Sequence, residues 1–181
     1  MKKEREKRLI EEFLGGSELA FNELVHEYHP KIYSHCRRML GNHMDADEVT
    51  QEVLIVIYNK LKDFRFDSSL STWIYRITTT RSLNFLNKRK LKKFLFLDDE
   101  EARELNSSDD IVADMENRAK LEKLDEVLQQ LPVKQREVFV LRHFEQLGYE
   151  EIAKIKNKSV GGLKANYFHA LKKVTELMEN E

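Results

Sequence analysis

The stretch YEEIAKIKNKSVGGLKANYFHALKK, residues 149–173, decides the fold class. A short amphipathic segment, a polar turn and a longer amphipathic segment follow one another, the pattern of a helix-turn-helix. Ile152, Ala153 and Ile155 supply the apolar stripe of the first helix. Asn157 stands where such a turn favours a left-handed residue, a conformation that asparagine tolerates. Ser159 is suited to cap the second helix. On that helix Val160, Leu163, Tyr167, Leu171 and Val174 fall on one side and are expected to pack inward. The opposite side presents Gly161, Gly162, Ala165, His169 and Lys172, flanked by Lys164 and Asn166. Small residues at its start let a helix sink into a DNA major groove, where its first turns meet base edges. The same pattern also fits a plain helical hairpin with a solvated outer face.

Helical periodicity extends outward over most of the remaining chain. Lys2–Leu14 carries Leu9, Ile10, Phe13 and Leu14 at helical spacing and stops at Gly15-Gly16. Ser17 caps a second helix running towards Gly41, with a bend expected at Pro30. Asp45 is expected to open a third, with Glu48 at the capping-box position and a core stripe of Val49, Val53, Val56, Ile57 and Leu61. The loop DFRFDSS, residues 63–69, leads to a fourth helix from about Leu70 to Lys90. Further helices are expected over about Asp114–Gln130, Val133–Phe144, Tyr149–Ile155 and from Ser159 to near Glu179. No alternating strand pattern, internal repeat or low-complexity tract is present. The fold class is therefore all-α, and residues 98–113, DDEEARELNSSDDIVA, form the natural boundary between an N-terminal domain (1–97) and a C-terminal one (114–181).

Composition narrows the function classes. The chain has 181 residues, 35% of them charged, with a formal net charge of −1. That near-neutral sum hides strong local polarity. Arg76, Arg81, Lys88, Arg89, Lys90, Lys92 and Lys93 are the charged residues of 76–97, and no acid interrupts them. Residues 98–117 are strongly acidic, with Arg103 as their one base. A basic run closing a helix, followed by an acidic tether, suits a nucleic-acid surface whose tether does not compete for it. The chain holds no apolar run of membrane-spanning length, and its start, MKKEREKRLIEEF, lacks the apolar core of a signal peptide. One cysteine, Cys36, cannot form an internal disulfide and suits a reducing cytoplasm. His26 and His29 lie three apart and His35 adjoins Cys36, but no second ligand pair stands at metal spacing. Without a Gly-rich phosphate loop or a nucleophile motif, no enzymatic activity, cofactor or metal is expected.

Two further surfaces stand out. With Val49 and Val53 turned inward, Glu48, Gln51, Glu52 and Asn59 share the far side of the third helix, and Ile55 lies among them. An apolar residue ringed by acids suits a protein interface, though a single exposed isoleucine is also common. In the fourth helix Leu70, Trp73, Ile74, Ile77 and Phe85 cluster on one side, which makes Trp73 a core or core-edge residue. Tyr75, Arg76 and Thr79, with Ser82, are expected to point outward as a platform for single-stranded bases and phosphates. The loop before them, with Phe64, Arg65, Phe66, Asp67, Ser68 and Ser69, could form a pocket for an unstacked base.

Taken in order, these motifs resemble the extracytoplasmic-function (group IV) sigma factors of bacterial RNA polymerase. DADEVTQEVL is similar to the region-2 helix that grips the β′ clamp helices, and FRFDSSLSTWIYRI to the loop and helix that meet the −10 element. LPVKQREVFVLRHFEQLGYEEIAKIKNKSVGGLKANYFHALKK is similar to region 4. The resemblance implies two helical domains on a flexible linker, no catalysis, and as partners core RNA polymerase (β′ clamp helices and β flap), promoter DNA and an anti-sigma factor, with no direct membrane insertion. Carried over by position, Asp45, Asp47, Glu48, Gln51 and Glu52 would face the clamp, with Ile55 among them. Phe64, Arg65, Phe66, Asp67, Ser68, Ser69, Ser71, Thr72, Tyr75, Arg76, Thr79, Lys88 and Arg89 would face −10 DNA. Ser159, Gly161, Gly162, Lys164, Ala165, Asn166, His169 and Lys172 would face −35 DNA. Three positions depart from the family pattern: Thr80 where asparagine is frequent, Asn84 where aspartate is, and Asn166 in place of the usual arginine. The last makes the recognition helix less basic, so weak −35 binding by the isolated C-terminal domain is expected.

Overall fold

The computed structural model describes residues 2–95 and 115–179, with side chains described over 2–95 and 121–179. Every regular element among them is helical. The proposed boundary at 98–113 lies outside the described residues.

Four helices form the N-terminal group. Helix α1, Lys2–Leu14, buries Leu9 and Ile10 and ends at Gly16, whose φ of 101° is the left-handed geometry that glycine adopts without a Cβ penalty. Helix α2, Glu18–Leu40, starts at Ser17, whose hydroxyl accepts from the Ala20 amide, and is unbroken at Pro30. Helix α3, His43–Lys60, opens one turn earlier than expected. Asn42, not Asp45, is its cap: the Asn42 Oδ1 accepts the Asp45 N–H at 2.8 Å, and its Nδ2 donates to the Asp45 carboxylate. A 3-10 turn over Leu61–Asp63 then feeds the loop to α4, Leu70–Leu95, which Ser69 caps through the Thr72 amide. Leu24, Ile32, Met39, Val49, Val53, Ile57 and Ile74 meet in one apolar core, each such side chain contributing about 1.5–3 kcal/mol by leaving water. Val56, expected in this core, is only half-buried and is not part of it.

The C-terminal group is α5 (Met115–Gln129), α6 (Val133–Phe139), a π-helical turn (Val140–Phe144), α7 (Tyr149–Lys156) and α8 (Val160–Glu179). The π turn breaks what the sequence suggests is a single helix over 133–144. Val127, Leu128, Leu131, Phe139, Ala170 and Val174 form one core here; Val138, Leu141, Leu147, Ile152 and Leu163 form another. On α8 Leu163 and Val174 are buried and Val160 and Tyr167 half-buried, as the sequence pattern indicated, but Ala170 takes the buried place expected of Leu171, which stays 40% exposed. Asn157 ends α7 at φ 50°, ψ 51°, and the Ser159 hydroxyl accepts from Gly162 N at 3.3 Å, so the turn chemistry is as expected.

The two groups exchange side chains. Val140 of the π turn packs into the N-terminal core, and Tyr75 of α4 packs into the cluster of Leu141, Leu147 and Ile152.

Candidate nucleic-acid interface

The loop between the 3-10 turn and α4 is built around aromatic rings packed at tilted angles. Phe64 is buried, with its ring centroid 4.7 Å from Phe66 and 5.3 Å from Trp73. Trp73 thus sits at the core edge, as its spacing suggested. Phe66 has φ 59°, a conformation few non-glycine residues adopt, so packing over-determines its backbone. Beside it lies a cavity of about 210 Å³ lined by Lys2, Lys3, Glu6, Phe64, Phe66, Leu70 and the serines 68, 69 and 71, with Lys2 Nζ 3.7 Å from the Glu6 carboxylate. The lysines come from α1, some sixty residues away in sequence, and periodicity gave no hint of them. Tyr28 ties the floor together: its hydroxyl donates to Glu6 at 2.5 Å and lies 3.1 Å from the Ser71 hydroxyl. Burial and the neighbouring Glu6 push the Tyr28 hydroxyl well above the usual phenol range.

Along α4, the structure corrects the sequence reading. Arg76, Lys88 and Arg89 are exposed, as are Arg65, Asp67, Ser68 and Ser69 in the loop. Thr72, Tyr75, Thr79 and Ser82 are buried, not outward-facing. They follow one another at helical spacing and form a second covered stripe: Thr72 and Tyr75 meet the C-terminal group, while Thr79 and Ser82 meet His35 and Cys36 of α2. The Tyr75 ring centroid lies 5.7 Å from that of His35, and burial together with Glu145 pushes its hydroxyl well above the usual phenol range.

On α3, Asp47, Glu48, Gln51 and Ile55 are exposed, Ile55 at 62%, and Glu52 is half-buried. Asp45 pairs with Arg89 at 2.8 Å, joining the start of this acidic face to the basic end of α4. On α8, Ser159, Gly161, Gly162, Lys164, Ala165, His169 and Lys172 are exposed, and Asn166 is half-buried with its Nδ2 donating to Gly162 O. Glu151 supplies half a capping box to α7, accepting from Gly148 N at 3.0 Å.

Two family patterns match the chain: Sigma-70 region 2 over residues 24–92 and Sigma-70, region 4 over 121–174. The chain is also 34% identical over 165 residues to the ECF RNA polymerase sigma factor SigW of Bacillus subtilis, covering 87% of this chain and 88% of that protein. The chain belongs to the ECF sigma factors of the sigma-70 family. This sigma factor is 31% identical to the RNA polymerase sigma-H factor of Pseudomonas aeruginosa, over 97% of this chain and 95% of that one. Its fold is shared by the sigma factor RpoE in complex with the anti-sigma factor NepR from Bartonella quintana, at TM-score 0.73 and 20% identity over 89% of this chain and 98% of that one. CnrH in complex with the cytosolic domain of CnrY gives a TM-score of 0.70 at 20% identity, over 98% of this chain and 99% of the other. Its place in the family makes this sigma factor a transcription initiation factor that acts with RNA polymerase at promoters. Among the described residues no group of ligating side chains could hold a metal ion, and no helix is long and apolar enough to cross a membrane.

Proposed function

We propose that this sigma factor, itself without catalytic activity, works in the cytoplasm through three separate surfaces. The acidic face of α3, centred on Ile55, grips the clamp helices of core polymerase. The loop 64–69 and the exposed edge of α4 at Arg76, Lys88 and Arg89 take up the melted −10 strand. The first turns of α8 enter the −35 major groove, while an anti-sigma factor of the kind that accompanies the similar solved structures holds the protein in reserve.

The cavity beside Phe66 carries the −10 assignment. Its walls combine aromatic faces, three serine hydroxyls and two lysines, which is the chemistry that stacks on a base, hydrogen-bonds its edge and neutralises its phosphate. Stacking of this sort contributes about 1–3 kcal/mol per base. The test is permanganate footprinting of open complexes. Phe66→Ala and Arg76→Ala should reduce strand opening on duplex promoters while binding to core polymerase persists. Wild-type opening in both variants would remove this loop from the −10 site.

A further inference from the structure

We infer that Phe168 is a specificity-determining residue of the −35 contact, where its ring reads a thymine through the C5-methyl group. The inference rests on the proposed reading of α8 as the −35 helix.

The exposed side of α8 has few groups that can read bases by hydrogen bonds. No arginine stands anywhere on the helix, so the bidentate contact that arginine makes to guanine is missing. Gly161, Gly162 and Ala165 carry no polar side-chain atoms. Asn166 directs its Nδ2 at Gly162 O, and the Ser159 hydroxyl accepts from Gly162 N. Lys164 Nζ lies 5.7 Å from the centre of the Tyr149 ring, and Lys172 pairs with Glu176 at 3.8 Å.

An apolar reader stands among them. Phe168 is 63% exposed, on the side of α8 away from the buried Leu163, Ala170 and Val174. It lies two helical turns beyond Gly161, with Ala165 one turn before it and Lys172 one turn after. The His169 ring stands beside it, centroids 5.8 Å apart and planes at 71°. Gly161 gives an independent sign of close approach. A Cβ there would meet nothing within 4 Å, and its φ is not positive, so neither packing nor backbone geometry within the chain requires glycine. Glycine is also less favourable than alanine inside a helix. The open space suits a partner that presses against the first turn. Side chains then grow from Gly161 through Ala165 to Phe168, about 12 Å along the axis from Val160. Such a taper fits a helix that enters the major groove by its N-terminus and reaches base edges from its third turn with a longer side chain. Thymine alone among the four bases presents a methyl group there, and apolar side chains are its readers.

Holoenzyme reconstituted from the full chain and core polymerase tests this on a promoter fragment with a randomised −35 segment, the bound duplexes being recovered and sequenced. The wild type should enrich thymine at one position on one strand. Phe168→Ala should lose that enrichment and keep the others, and Phe168→Leu, still apolar, should retain part of it. Replacing that thymine by deoxyuridine removes only the methyl group. It should weaken wild-type binding about fourfold, the effect of one buried methyl group, and leave Phe168→Ala unchanged. Equal wild-type binding to thymine and deoxyuridine would overturn the inference, as would a uniform loss across all sequences in Phe168→Ala. A wild-type holoenzyme with no preference anywhere in the segment would remove α8 from the −35 site, and the inference with it.

Discussion

The Glu145 carboxylate lies 3.3 Å from His35 Nδ1, although the two residues belong to different helical groups of the chain. Burial opposes ionisation of Glu145, and the hydrogen bonds from His35 and Tyr75 outweigh it, so its carboxyl is held below the usual glutamate range. A carboxylate of lowered pKa adds stability above its unfolded value of about 4.3 and loses it as pH falls through the folded value. The groups facing Glu145 are His35 and Arg38 from α2 and Tyr75 from α4. Burial pushes Asp125 and Glu137 in the opposite direction, so the wild type is best compared with Glu145→Gln. Hydroxyl-radical labelling of Tyr75 should rise more in wild type than in Glu145→Gln as pH drops below about 4.3. Parallel curves would show that Glu145 does not govern the contact.

Gly41 and Gly16 separate backbone strain from packing. Both have positive φ, 90° and 101°. A Cβ on Gly16 meets nothing within 4 Å, whereas one on Gly41 runs into Gln129. Alanine at either site should cost about 1–2 kcal/mol for the left-handed backbone in urea unfolding. Gly41→Ala should cost more, and Gln129→Ala in the same chain should return the excess. Equal losses at the two glycines would mean that the Gln129 side chain yields freely.

Cys36 should behave as an inert thiol. Burial pushes it up to about 11, and its side chain lies in the core beside Ser82. The thiolate is the reactive form, so at neutral pH the native chain should label with iodoacetamide far more slowly than the urea-unfolded chain. Rapid, complete labelling of the native protein would show that the N-terminal core opens readily.

Ile55 gives the clearest test of the polymerase face. Glu at this exposed position removes no core contact, so stability should change by no more than about 0.5 kcal/mol. Affinity for core polymerase should fall by at least about tenfold, the range of a central interface residue. An unchanged dissociation constant would take the α3 face out of the interface.

What could be read from the sequence follows the range of the interactions. Asn157, Ser17 and Ser159 act through backbone groups a few residues away, and their roles at turn and cap are visible in the sequence. Asn42 was missed because the competing signal at Asp45 and Glu48 is the stronger motif, while the structure gives the cap to the residue whose side chain reaches the Asp45 amide. Tyr75, Thr79 and Ser82 were read as outward because one helix has one obvious apolar stripe. The cover of Tyr75 comes from residues about seventy positions later, and that of Thr79 and Ser82 from His35 and Cys36 some forty-five positions earlier, both beyond any periodicity. Leu171 was displaced by the smaller Ala170, which allows α8 to pack closely against Phe139 and its neighbours. The lysines at 2 and 3 were invisible as site residues for the same reason as Glu145: tertiary contact alone brings them there.

Run-off transcription with purified core polymerase on genomic promoter fragments, with start sites mapped, tests the central claim most directly. Adding this chain should produce discrete transcripts from defined start sites that core polymerase alone does not make. A folded chain that yields no specific initiation on any fragment would contradict the account.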